Sequence, residues 1–224
     1  MTNAEQEAYQ KALSMLNSSN ITKELLHKYG AQAPVNPLTL NNVNKQHVIC
    51  VSDELIEDLY QIHTYTKNTG MEVPFFLMGE ERADGSVYFY QICIGKSTGT
   101  QNADFSSLKK TLDTYINFVK THNLENQIVC HGHTHGKYHY GDNFSLADMG
   151  AYILMNEYHP LMKNKTIQTI GCVFNSSGDM NFVLYDEYNR GFYKFPNVVV
   201  EYQDKTKDPL PAYTRGNYNI SISR

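Results

Sequence analysis

A chain of 224 residues with 41% hydrophobic content is long enough for one core of ordinary size, so a single domain with extensions is expected. Nineteen basic against 23 acidic residues leave a formal charge of -4, with no basic run to follow a phosphate backbone, which argues against nucleic acid as the main partner. The start "MTNAEQEAYQ" lacks a basic and an apolar leader region, and no segment nears the roughly 20 apolar residues of a membrane span, so a cytoplasmic protein with no membrane partner is expected.

Residues 4–30 read as two helices, "AEQEAYQKALSML" and "NITKELLHKYG", the second with Asn20 as N-cap and Gly30 as its stop. "AQAPVNPLTLNNVNKQ" has linker composition, which sets residues 1–45 apart as a helical extension and linker. The main domain is expected over 46–202. Within it "HVICVS" reads as a strand, and "SDELIEDLYQIHTYTKNTG" as a helix capped by Ser52, with Leu55, Ile56, Leu59 and Ile62 on one face and Gly70 past its end. "VPFFLMGEER" and "SVYFYQICIG" flank Asp84-Gly85, the signal of an antiparallel hairpin.

The loop "KSTGTQNAD" leads to a helix with Leu108, Leu112, Tyr115, Ile116 and Val119 on one face, then to "NQIVCHGH", a buried strand. "SLADMGAYILMNEY" reads as a further helix, and "TIQTIGCVF", "MNFVLYD" and "GFYKF" as a strand meander with turns at "NSSGD" and "EYNRG". The stretch 203–224 is polar and reads as a tail. The expected fold class is therefore α/β (mixed α+β), a mixed and partly antiparallel sheet flanked by helices. Cys50, Cys93, Cys130 and Cys172 are scattered within apolar runs, which argues against a disulfide framework and against a Cys-rich zinc site.

The segment "CHGHTHGKYHYGDNFSLAD" holds four histidines and two aspartates within residues 130–148. In an extended strand alternate side chains share a face, so His131, His133 and His135 are expected to point the same way, and two of them could grip one cation. Two histidines and one acid make a zinc set that leaves a position for water. Asp142 and Asp148 are the local acids. Asp142, beside Gly141, is most simply a turn residue. Asp148 follows Ser145 by three positions before an apolar run, which also reads as a capping box that starts a helix.

His133-Thr134-His135, a spacer, and Ser145-Leu146-Ala147-Asp148 together resemble the His-x-His...Ser-x-x-Asp signature of the JAMM (MPN+) zinc metalloproteases, a family that includes deubiquitinating isopeptidases. That family carries an upstream glutamate seven residues before a glycine, and "EVPFFLMG" supplies Glu72 and Gly79. The resemblance spans roughly residues 47–186. Gly136 stands where family members usually have proline, and twelve residues rather than ten separate His135 from Asp148. The resemblance implies an MPN/JAMM (cytidine deaminase-like) fold, with Zn2+ held by His133, His135 and Asp148 and a water in the fourth position. It further implies Glu72 as general base and then acid, Ser145 as a hydroxyl donor to the tetrahedral oxyanion, and a protein or peptide substrate, ubiquitin-like proteins included. His131 and His139 fall outside the implied metal set.

"HGHTHG" also resembles the terminal Gly-His-x-His block of calcineurin-like metallophosphoesterases, but the Asp- and Asn-bearing blocks those two-metal enzymes need do not precede His131. A third reading is a non-catalytic MPN-type scaffold, because fold alone does not establish activity.

Overall fold

The structure is a computed structural model, and it describes residues 41–42, 48–97, 99, 103–136, 144, 148, 152, 169–186 and 191–210. The expected helices at 4–30, most of the loop 136–144, most of the expected helix at 145–158 and the end of the tail lie outside the described residues.

Strands β1 (Asn41–Asn42), β2 (Ile49–Ser52), β3 (Pro74–Glu81), β4 (Val87–Ile94), β5 (Gln127–Thr134), β6 (Thr169–Phe174), β7 (Met180–Asp186), β8 (Gly191–Lys194), β9 (Val198–Glu201) and β10 (Lys207–Pro209) form one sheet in the order β1-β8-β7-β6-β5-β3-β4-β2-β9-β10. The β3/β4 hairpin and the β6-β7-β8 meander pair antiparallel, as their turn signals predict. Parallel pairings join β2 to β4 and to β9, β5 to β6, and β1 to β8, so the sheet is mixed.

The sheet is curled. Phe89 on β4 and Phe182 on β7 are separated by three intervening strands, which in a flat sheet puts them about 19 Å apart at roughly 4.8 Å per strand. Their ring centroids lie 6.0 Å apart. Two side chains reaching toward each other cannot close that gap, so the backbone bends the two strands together around an inner core that also holds Phe75, Leu77, Cys130, Cys172 and Phe195.

Helix α1 (Ile56–Thr69) covers the inner face with Ile56, Leu59 and Ile62. It follows a 3₁₀ turn, Asp53–Leu55, whose Glu54 N–H donates to Ser52 Oγ, and it ends at Gly70, left-handed at φ 75°. Helix α2 (Lys109–Thr121) lies on the opposite face, where Leu112 and Ile116 pack against Phe76, Met78 and Val129. The alternation of β3 explains the division: Phe75 and Leu77 go inward toward α1, Phe76 and Met78 outward toward α2.

Two stretches differ from expectation. Asn41 and Asn42, read as linker, pair along β8, and residues 203–210, read as the start of a polar tail, form a turn and the edge strand β10, ending at buried Leu210. Polar composition hid both because an edge strand needs backbone partners on one side only and carries no apolar alternation.

The β9/β10 edge is fastened to the β3/β4 hairpin by Glu201, whose side chain is 1% exposed. The Arg82 guanidinium donates to both its oxygens, at 2.7 and 2.9 Å, and lies 4.0 Å over the Tyr88 ring. Lys205 and Lys207 stand 3.2 and 3.4 Å from the same carboxylate. The Arg82 hydrogen bonds, ahead of the opposing effect of burial, hold the Glu201 carboxyl down at about 2. A depressed carboxylate stabilises the fold above its unfolded value of 4.5, and that contribution is lost as pH falls toward 2. Glu201→Gln is therefore expected to cost about 3 kcal/mol at neutral pH, the low end for breaking a buried pair because Arg82 is 24% exposed. Urea melts at pH 7 and below pH 4 check this: the gap between the two proteins should narrow in acid, and a pH-independent gap refutes the assignment.

Candidate metal centre

Strand β5 is buried along its whole length, and its register on β3 sets Phe76 opposite His131 and Pro74 opposite His133. His131 and His133 therefore open on the α2 side of the sheet, while the intervening Gly132 admits the Phe75 ring on the inner side. The chain leaves the strand at Thr134, and His135 donates its backbone N–H to the Phe174 carbonyl at 2.8 Å. That bond continues the β5/β6 ladder by one residue, and the His135 ring meets that of His133 with centroids 4.9 Å apart.

The two Nε2 atoms are 3.0 Å apart. Asp148 presents Oδ1 at 3.2 Å from His133 Nε2 and Oδ2 at 3.7 Å from His135 Nε2. Both imidazoles are buried, at 5% and 4% exposure. One ligand atom from each of the three residues, all within 4.8 Å of one another, makes a group that could hold a cation. Metal–ligand bonds of about 2.0–2.1 Å in a tetrahedron set neighbouring donors about 3.3 Å apart, and the Nε2–Nε2 and Nε2–Oδ1 separations are close to that value. With three donors from the chain, a tetrahedral ion keeps one position for another ligand.

Glu72 lies two residues before the start of β3, level with the exit of β5. Its backbone N–H donates to Gly99 at 2.8 Å, and next to it the Val73 carbonyl accepts the Thr134 N–H at 3.1 Å. The side chain is 2% exposed. Burial raises its pKa to about 7, with His135 pulling it down and the Asp148 carboxylate pushing it up, so Glu72 senses two of the three donor residues.

Thr134 and Gly136 lock this corner in a way that the spacing of His-Thr-His does not reveal. Thr134 Oγ1 lies 2.6 Å from Thr66 Oγ1 of α1 and accepts the Val73 N–H at 2.8 Å, tying α1, the entry of β3 and the exit of β5 together. A small hydroxyl residue pointing away from two candidate ligands at a strand end is the signal that could have marked it. At Gly136 a Cβ would collide with the Gly70 carbonyl oxygen and lie 3.1 Å from its carbon. The backbone therefore approaches the helix stop too closely for proline, the residue usual in the resembled family.

His131 does not join the donors. It is fully buried between Phe76, met edge-on with centroids 4.6 Å apart, and Phe105 at 6.1 Å, so the three histidines do not act as one row. Ser145, His139 and Asp142 lie outside the described residues. Tyr152, four positions after Asp148 and helical like it, is 2% exposed; burial, and then the Asp148 charge, push its phenol well above the ordinary value.

No family model matches this chain, and a search of curated proteins finds no match either. Fold and site together define a mixed α/β protein with a curled sheet, two flanking helices and a buried His-His-Asp cluster able to coordinate a metal ion. These features are consistent with a JAMM/MPN-like architecture and with metal-activated hydrolase chemistry.

Proposed function

We propose that this chain is a zinc-dependent metallopeptidase of the JAMM type that hydrolyses a peptide or isopeptide amide bond. The observation that carries the reading is the convergence of His133, His135 and Asp148 with the buried carboxyl of Glu72 beside them. Zinc held by the three donors supplies Lewis-acid polarisation of the substrate carbonyl and a water acidified to a pKa of about 7.

The chain's own residues do the rest. Glu72 takes the proton of the water whose oxygen bonds to the carbonyl carbon, and returns a proton to the amine nitrogen as the carbon–nitrogen bond breaks. Proton exchange in both directions works best for a group whose pKa lies near the working pH, and burial pushes the Glu72 carboxyl up in that direction against the pull of a neighbouring dication. Ser145 donates its hydroxyl to the tetrahedral oxyanion, the role its place in the motif implies, which is worth about 3 kcal/mol of barrier for a well-placed donor.

Elemental analysis of the purified protein, with turnover of ubiquitin-like isopeptide and peptide-amide substrates before and after o-phenanthroline, tests the reading. About one zinc per chain, activity lost with the chelator and restored by zinc, is the expected result. A protein that takes up no metal supports the scaffold reading, and two metals with phosphoesterase activity support the phosphatase reading; either outcome overturns the peptidase.

A further inference from the structure

The donors come from two separate pieces of chain, β5 and the helical residue Asp148, and the zinc set closes only if the second is held at a fixed height over the first. Tyr152 offers the means. Residues four apart on a helix stack on one face, so Tyr152 sits one turn beyond Asp148 on the same side. Its ring lies on Gly171 of β6, the register partner of His131. Ile170 and Cys172 on either side point into the inner core, so position 171 opens on the sheet face that carries His133.

Glycine leaves a notch there, and the ring fills it. A Cβ at 171 would lie 2.5 Å from Cε1 and closer still to Cζ and Cε2, all atoms of a rigid ring with no flexible end to swing aside. The Tyr152 hydroxyl reaches the Cys172 carbonyl only at 3.5 Å, the long limit of a hydrogen bond, so ring packing rather than that contact fixes the residue. Phe144 meets the Tyr152 ring edge-on, with centroids 5.8 Å apart.

We infer that the Gly171 notch and the Tyr152 ring are the positioning element that sets the Asp148 carboxylate against His133 and His135, so that high metal affinity requires glycine at 171. The inference rests on the metal reading above. Relieving the collision at Cε1 from 2.5 Å to an ordinary carbon–carbon contact of about 3.5 Å moves the ring by about 1 Å, and the closer Cζ and Cε2 contacts demand more. Asp148, one turn away, shares that shift, whereas zinc–ligand distances tolerate only about 0.2 Å.

The test is chelator-competition titration of zinc, with the visible spectrum of the cobalt(II) form as a second readout, on the full chain. Gly171→Ala is expected to weaken zinc binding by about 10- to 100-fold, the range for residues that orient ligands, and to change the cobalt band intensity that reports coordination. Tyr152→Phe, which keeps the ring, should bind within about threefold of wild type, and Tyr152→Leu should bind weakly. Gly171→Ala added to Tyr152→Leu should cost nothing further, since the collision is gone. Leu59→Ala, in the core on the opposite face, controls for simple destabilisation and should leave affinity and spectrum unchanged. Wild-type affinity and spectrum in Gly171→Ala, or in a folded Tyr152→Leu where the alanine variant fails to fold, overturns the positioning alone. A wild-type protein that binds neither ion overturns the metal reading along with it.

Discussion

His133→Ala is expected to weaken zinc binding by more than about 100-fold, beyond the loss typical of residues that merely orient a ligand. His133 Nε2 lies 3.0 Å from His135 Nε2 and 3.2 Å from Asp148 Oδ1, and His135 Nε2 stands 3.7 Å from the other carboxylate oxygen, Oδ2. Removing it leaves one imidazole and one carboxylate, too few protein donors to hold an ion against chelators. His135→Ala should follow it closely. His122→Ala, at an exposed position just past α2, is the control and should bind as wild type. Zinc content after gel filtration against a weak chelator, with circular dichroism to confirm the fold, reads the result. Stoichiometric zinc in a folded His133→Ala protein sinks the assignment of the donor set.

What made this corner legible was periodicity. A fully apolar run before His131 announced a buried strand, and the two-residue repeat put His131 and His133 on one face of it. The same repeat carries one residue past the strand to His135, whose backbone continues the ladder on Phe174 and whose ring meets that of His133. The choice between Asp142 and Asp148 needed the motif resemblance, because loop geometry decides it and loop geometry is not periodic.

The curl of the sheet and the edge strand β10 were not legible, for a related reason. Phe89 and Phe182 meet across 92 intervening positions, and β9 lies beside β2 although about 150 residues separate them. Those pairings are fixed by the closed core, not by any local pattern. The notch at Gly171 is a further case: a glycine in a strand announces a close approach but does not say what approaches.

The sharpest separation of catalysis from structure is at Glu72. Glu72→Gln keeps the size and hydrogen bonding of the side chain but cannot take a proton, and Glu72 lies outside the donor triangle. Turnover of an amide substrate is expected to fall by about 10²- to 10⁴-fold, the usual worth of a general base, while zinc content stays near one per chain. The pH dependence adds a second signature. In the metal-free protein the carboxyl titrates near 7, and a dication beside it shifts the midpoint down, so the acidic limb of kcat/KM belongs below 7 and should vanish in the variant. Stability gives the opposite sign to that of Glu201. A carboxyl raised from 4.5 to about 7 keeps its proton when folded, so the metal-free fold loses stability as pH rises across that window, and Glu72→Gln should flatten the loss. Undiminished turnover in a zinc-replete Glu72→Gln protein would falsify the proton-transfer role, since no other described carboxyl combines burial, a raised pKa and closeness to the donors.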